Sequence, residues 1–239
     1  MSQIHDKYMN EEKKKAIEVD EIIQSRFEFI KRQYPHIREA YNNHYEWPEL
    51  DPLRDEICLC IMFGLCQAAI TLTNHLFESL LKYALIISDG KKNKQKEEEI
   101  KGRVVSSVEE KYEEGINQYS DLNLSDTINR ACTLGLITKK QKKQLHVFRN
   151  KFRNAYGHSD KQKTFGKSTM SVTGVKLENE KFKVDEKLEP EISKFLIGQG
   201  IVQAMTAQSD APKYFKYIDS LTREIREKLF GPIDQDLAQ

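Results

Sequence analysis

A chain of 239 residues with 38 % apolar and 31 % charged side chains can bury one sizeable core or two small ones, which excludes disorder as its default state. Its 38 Lys and Arg against 37 Asp and Glu leave a net charge of +1, so the chain as a whole is neither a basic nucleic-acid binder nor an acidic mimic, and any such role is local. The four cysteines, Cys58, Cys60, Cys66 and Cys132, stand in apolar surroundings without the CxxC spacing of a zinc site, and buried reduced thiols are expected.

Residues 1–15 are strongly charged and lack the apolar stretch of a signal peptide, and the most apolar run, 57–65, is too short to cross a bilayer core of about 30 Å. A cytoplasmic protein is the expectation. Asn10 followed by Glu11 and Glu12 suits a helix start, and Val19, Ile23, Phe27, Ile30 and Tyr34 then recur at three- and four-residue intervals. This pattern predicts an amphipathic helix that Pro35 ends. The aperiodic, aromatic-rich stretch 41–48 reads as a loop packed on the domain and carries the single tryptophan, Trp47. Residues 1–50 are thus expected to be a helix and loop laid on a helical domain that spans 51–232.

Asp51-Pro52 is a helix start, because Asp accepts from free backbone N–H groups and Pro tolerates the first helical position. One long helix is predicted from there to about Ile87, apolar nearly all round between Ile57 and Ile70 and therefore central. The charged block 91–99 reads as a solvated loop, 104–116 as another helix, and Ser125-Asp126 as the start of a short one that stops at Gly135. Thr138-Lys139-Lys140-Gln141 is a capping box that opens a helix over 139–156. Residues 161–190 turn to Thr, Ser, Gly and Val with two alternating segments, as in a β-hairpin inserted as an arm. Two helices, about 191–208 and 213–230, follow, with Pro212 between them and Gly231-Pro232 after.

The helix after Thr138 carries the chemistry. Leu145, Phe148, Phe152 and Ala155 form its apolar stripe, and His146, Arg149 and Arg153 fall together on another face. From Lys139 to Lys167 the bases Lys139, Lys140, Lys142, Lys143, Arg149, Lys151, Arg153, Lys161, Lys163 and Lys167 meet only one acid, Asp160. A nearly neutral chain has concentrated positive charge here. A solvated face with His158 near a helix C-terminus is the plainer alternative. No glycine-rich phosphate loop is visible.

The segment Ile128-Asn129-Arg130-Ala131 to Gly135-Leu136-Ile137-Thr138, followed by a long helix ending Arg153-Asn154-Ala155-Tyr156-Gly157-His158, resembles the second half of a HEPN domain, whose motif is Arg, a polar residue, free positions and then His. The stretch Ala68-Ala69-Ile70 to Leu76-Phe77-Glu78-Ser79-Leu80-Leu81 is similar to that family's central helix with its embedded glutamate. The resemblance implies an all-α, up-and-down helical bundle that dimerises through its motif helices and cuts RNA without metal or cofactor. It implies a toxin or antiviral defence effector, and leaves open a protein partner that inhibits or activates it. On this reading His158 is the base, Arg153 the cation that holds charge growing on the phosphate, and Asn154 orients the imidazole, while Lys139, Lys140, Lys142, Lys143 and Arg149 bind the RNA backbone. Five positions of regular helix set Arg153 and His158 about 140° apart, so they converge only if the helix loosens at Gly157 or a second subunit completes the site. Asp160 stands where some family toxins have tyrosine, so regulation through that residue is not implied. Because fold does not by itself imply activity, a catalytically silent dimeric binding or scaffolding module is the alternative.

Overall fold

Pro35 does not end the first helix. In the computed structural model, which describes residues 2–99, 108–154, 169, 172–178, 181–188, 191 and 196–232, α1 covers Ser2–Asn42 with Pro35 inside it. A proline in a helix forfeits one backbone hydrogen bond and crowds the preceding turn. Just beyond it Ile37 and Ala40 are buried, and that burial holds the helix together past the break. Only the end of the predicted apolar stripe is covered: Ile30 and Tyr34 pack on the core, whereas Val19, Ile23 and Phe27 stay exposed. Length explains this. A 41-residue helix is about 60 Å long and its neighbour α2 (Asp51–Met62), with 12 residues, about 18 Å, so α1 outruns the surface it lies on.

The loop between α1 and α2 is tied down from inside the protein. Asp51 does not cap its own helix. Its carboxylate instead accepts from the backbone N–H of Tyr45, at 2.8 Å, and of Trp47, at 3.0 Å, fixing the loop while Pro52 starts the helix. Tyr45, Trp47 and Leu50 are all buried. Arg54, fully buried, donates to the Asn43 carbonyl and to Asp55, and its Nη2 lies 2.9 Å from His44 Nδ1. The guanidinium groups of Arg54 and Arg223 lie 5.6 and 5.1 Å from the centre of the Tyr45 ring. Both Nη atoms of this fully buried arginine are so engaged, while its Nε has no hydrogen bond and lies 3.8 Å from Asp51 Oδ1.

The long helix predicted from Asp51 to Ile87 is two. It breaks after Met62, where Gly64 takes a φ of +75°, and α3 (Cys66–Glu99) follows and packs against α2. A side chain at Gly64 would meet both that left-handed backbone and the Phe29 ring, 3.2 Å from its Cβ. α3 then runs on through the charged block 91–99, expected as a loop, because Lys, Gln and Glu are good helix formers and the block contains neither Gly nor Pro. α3 is the centre of the bundle. It packs against α2, α4 (Val108–Tyr119), α5 (Leu124–Thr133) and the last helix, with Ile70, Leu76, Phe77, Leu80, Leu81 and Leu85 wholly buried.

α5 is capped by Asn123 rather than Ser125, with Asn123 Oδ1 accepting from the Asp126 N–H at 3.1 Å, and Gly135 follows its end with a φ of +75°. β1 (Val172–Glu178) and β2 (Lys181–Leu188) pair antiparallel, with a register shift between Thr173 and Val175. The two final helices expected on either side of Pro212 are one, Leu196–Phe230. Its buried residues Ala207, Ala211, Tyr214, Phe215 and Ile218 straddle the proline, so packing against α3 continues through it. All four cysteines are free thiols, two buried and two half-buried, and burial pushes the Cys58 thiol up to about 12. Among the described residues, no helix is long and apolar enough to cross a membrane.

Candidate functional site

The helix after Thr138 opens as its sequence predicts. As α6 (Lys139–Phe148), it begins with Thr138 N–H donating to Gln141 Oε1 at 2.7 Å and Gln141 N–H donating to Thr138 Oγ1 at 3.2 Å. The Gln141 amide also donates to Glu224 Oε2 at 2.6 Å, which fastens the start of α6 to the final helix, α7 (Leu196–Phe230). That contact and a bond from Lys228 keep the Glu224 carboxyl below its ordinary range, Lys228 contributing most. Lys139, Lys140 and Lys143 are exposed and Lys142 is half-buried. No acid sits in the first turn. Cations at a helix N-terminus oppose the helix dipole, so these lysines do not serve the helix's own stability.

α6 does not continue as a regular helix to residue 156. At Arg149 it widens into a π turn, Arg149–Asn154, in which N–H groups bond five residues back rather than four. The widening begins eight positions before Gly157, where loosening was expected and which lies outside the described residues. The turn faces two neighbours at once. On one side Phe148 and Phe152 meet α7, where Phe152 stacks on Tyr214 with centroids 4.2 Å apart and planes 24° apart, and Phe148 lies 5.0 Å from both Tyr214 and Tyr217. The buried Tyr214 hydroxyl in turn donates to Asn74 Oδ1 of α3 at 2.9 Å. On the other side Arg153 Nη2 lies 3.7 Å from Glu78 Oε2, and Glu78 Oε1 is 3.2 Å from Lys82 Nζ. The Arg153 side chain remains 38 % exposed. Lys151 Nζ pairs with Asp210 Oδ2 at 2.7 Å, pinning the same turn to α7.

The three side chains expected on one polar face reach three different partners. His146 Nε2 is 3.3 Å from Asn129 Oδ1, an acceptor, so that nitrogen carries the proton. Burial, then Arg149 and Lys142 nearby, holds the imidazole below its ordinary pKa. Arg149 donates from Nε and Nη2 to Asn150 Oδ1 at 3.3 and 3.2 Å. Only Arg153 reaches Glu78. The widened turn is the reason, since it rotates residues after Phe148 out of the register that a 3.6-residue repeat assigns them.

Asn154 closes the π turn. His158, Ala155, Tyr156, Gly157 and Asp160 lie outside the described residues, as do Lys161, Lys163 and Lys167. Sequence reasoning singled out Glu78 only as an embedded glutamate and missed it as the partner of Arg153. It also missed the Asn129–His146 and Lys151–Asp210 pairs, which join residues far apart in sequence and leave no local pattern. Among the described residues, no three of His, Cys, Asp and Glu come together as a metal ion would need. No family model matches the chain, and neither a curated protein nor a solved structure matches it.

Proposed function

We propose that this chain is a metal-independent endoribonuclease of the HEPN kind, an up-and-down bundle with a hairpin inserted after its motif helix, which works as a homodimer in the manner of a toxin or antiviral effector. The observation that carries the reading is Arg153. It sits in a π turn, a geometry found often at functional sites, at the end of a lysine-headed helix, partly exposed, with Glu78 its one ion-pair partner among the described residues. A guanidinium so placed has donors to spare for a phosphate.

In the proposed reaction His158 takes the proton of a ribose 2′-hydroxyl as its oxygen forms a bond to the adjacent phosphorus. The bond from phosphorus to the 5′-oxygen breaks, that oxygen takes a proton from water, and a cyclic phosphate remains. Arg153 holds the charge that grows on the non-bridging oxygens, and Asn154 orients the imidazole. A second subunit completes the grip on the phosphate. Purified protein incubated with single-stranded RNA in EDTA should degrade it. An unchanged RNA profile across several substrates would favour the silent binding module instead.

Lys139, Lys140, Lys142, Lys143 and Arg149 grip the RNA backbone in this reading. Changing the four lysines together to Ala should weaken RNA binding and flatten its dependence on salt, because a surface that neutralises fewer phosphates releases fewer counterions. Fluorescence anisotropy with a labelled oligonucleotide at low and high salt measures this. Unchanged binding at both would place the RNA surface elsewhere.

A further inference from the structure

A concave site lies between the 43–50 loop, α3, α4 and the end of α7. Its volume is about 550 Å³, within the range of roughly 300–1,000 Å³ usual for small-molecule sites. Four aromatic rings line it: Trp47, Tyr83, Tyr112 and Phe230. Trp47 and Phe230 meet edge to face, with centroids 5.4 Å apart and planes at 84°, so two walls stand at right angles. Tyr83, Ile116 and Phe230, three of the large apolar side chains that the fold leaves exposed, all open onto this one cavity. Apolar surface gathered in a concavity marks a binding site more often than a packing fault.

The polar groups around the rings are of two kinds. Arg226 presents a guanidinium whose Nη1 donates to the Gly231 carbonyl at 2.6 Å and whose Nη2 donates to Glu46 at 3.1 Å. These two bonds leave other N–H groups of the guanidinium unused, and Arg226 lines the cavity. Glu46 and Glu49, both exposed, supply carboxylates at the same cavity. A ligand that satisfies these walls is a flat ring with acceptors along one edge and N–H donors along another.

We propose that this cavity is a guanine-base site. Guanine N7 and O6 are paired acceptors suited to an arginine, its N1–H and amino group are donors suited to a carboxylate, and its ring stacks on aromatic side chains. Adenine and cytosine place an amino donor where guanine has O6 and an acceptor ring nitrogen where it has N1–H, and uracil has no amino group. The base is presented either as a free mononucleotide or as an unpaired guanosine within RNA. The site does not rest on the ribonuclease reading: it binds whether or not RNA is cut.

Trp47 is the only tryptophan and lines the cavity, so its fluorescence reports on occupancy directly. Titration of the full-length protein with GMP, IMP, AMP, CMP and UMP, and with short single-stranded RNAs that differ by one central G or A, is the test, with calorimetry as the second readout. Saturable quenching by GMP, by the G-containing RNA or by both is expected, and which of these binds identifies the source. Tyr83→Ala, at a partly exposed ring, should weaken binding about tenfold or more by removing a stacking surface. Glu46→Gln with Glu49→Gln should abolish the preference for GMP over IMP, which lacks the amino group. No saturable signal from GMP or the G-containing RNA, equal binding of all five nucleotides, or variants that bind as wild type would each overturn the assignment.

Discussion

Arg54→Ala should destabilise the fold by about 3–5 kcal/mol, the usual loss when one partner of a buried charged cluster is removed. Arg54 is fully buried, and it holds the Asn43 carbonyl, His44 and Asp55 while its Nε lies 3.8 Å from Asp51. Removing it leaves a cavity, an unpaired carbonyl and carboxylates without their cation. The loop bearing Tyr45 and Trp47 would lose its tie at the Asn43 carbonyl, leaving the bonds that Asp51 accepts from its two backbone N–H groups to hold it. Urea unfolding followed by circular dichroism should show the midpoint falling with little change in slope. Arg54→Lys, which keeps the charge but not the fork of donors, should recover only part of the loss. A shift under about 1 kcal/mol, the ordinary size for surface substitutions, would mean that the cluster is not what holds the loop.

His158→Ala and Arg153→Ala should each slow RNA cleavage by roughly a hundredfold or more, the size expected for loss of an acid–base group or of a donor to the transition state. Both proteins should stay folded. Arg153 is partly exposed and its link to Glu78 is a 3.7 Å ion pair at the surface, a kind that contributes less than about 1 kcal/mol. The comparison is therefore between the cleavage rate and the helical signal of each variant. Wild-type cleavage by His158→Ala, or inactivity that tracks a collapsed helical signal, would detach the activity from this motif.

Local chemistry was legible in the sequence and competition between distant surfaces was not. The Thr138–Gln141 capping box and the left-handed Gly135 each depend on neighbours within four residues, and each stands where the sequence puts it. Pro35 and Pro212 misled because the loss of one helical hydrogen bond is read locally, whereas the burial of Ile37 and Ala40, or of Ala211 and Tyr214, depends on helices far along the chain. The break at Gly64 was signalled by a glycine inside an apolar run and was overlooked in favour of the periodicity. The π turn leaves no comparable sign: Arg149-Asn150-Lys151-Phe152-Arg153-Asn154 reads as ordinary helix. Its widening accompanies contacts with Tyr214 on α7 and Glu78 on α3, neither of which a local pattern contains.

The most direct test of the proposed activity is a DNA oligonucleotide carrying a single ribose, incubated in EDTA with wild-type protein and with His158→Ala. Wild type should cut only after that ribose and leave a 2′,3′-cyclic phosphate, the all-deoxy strand should survive, and the variant should leave both intact. Cutting of the all-deoxy strand, products without the cyclic phosphate, or equal cutting by the variant would contradict it.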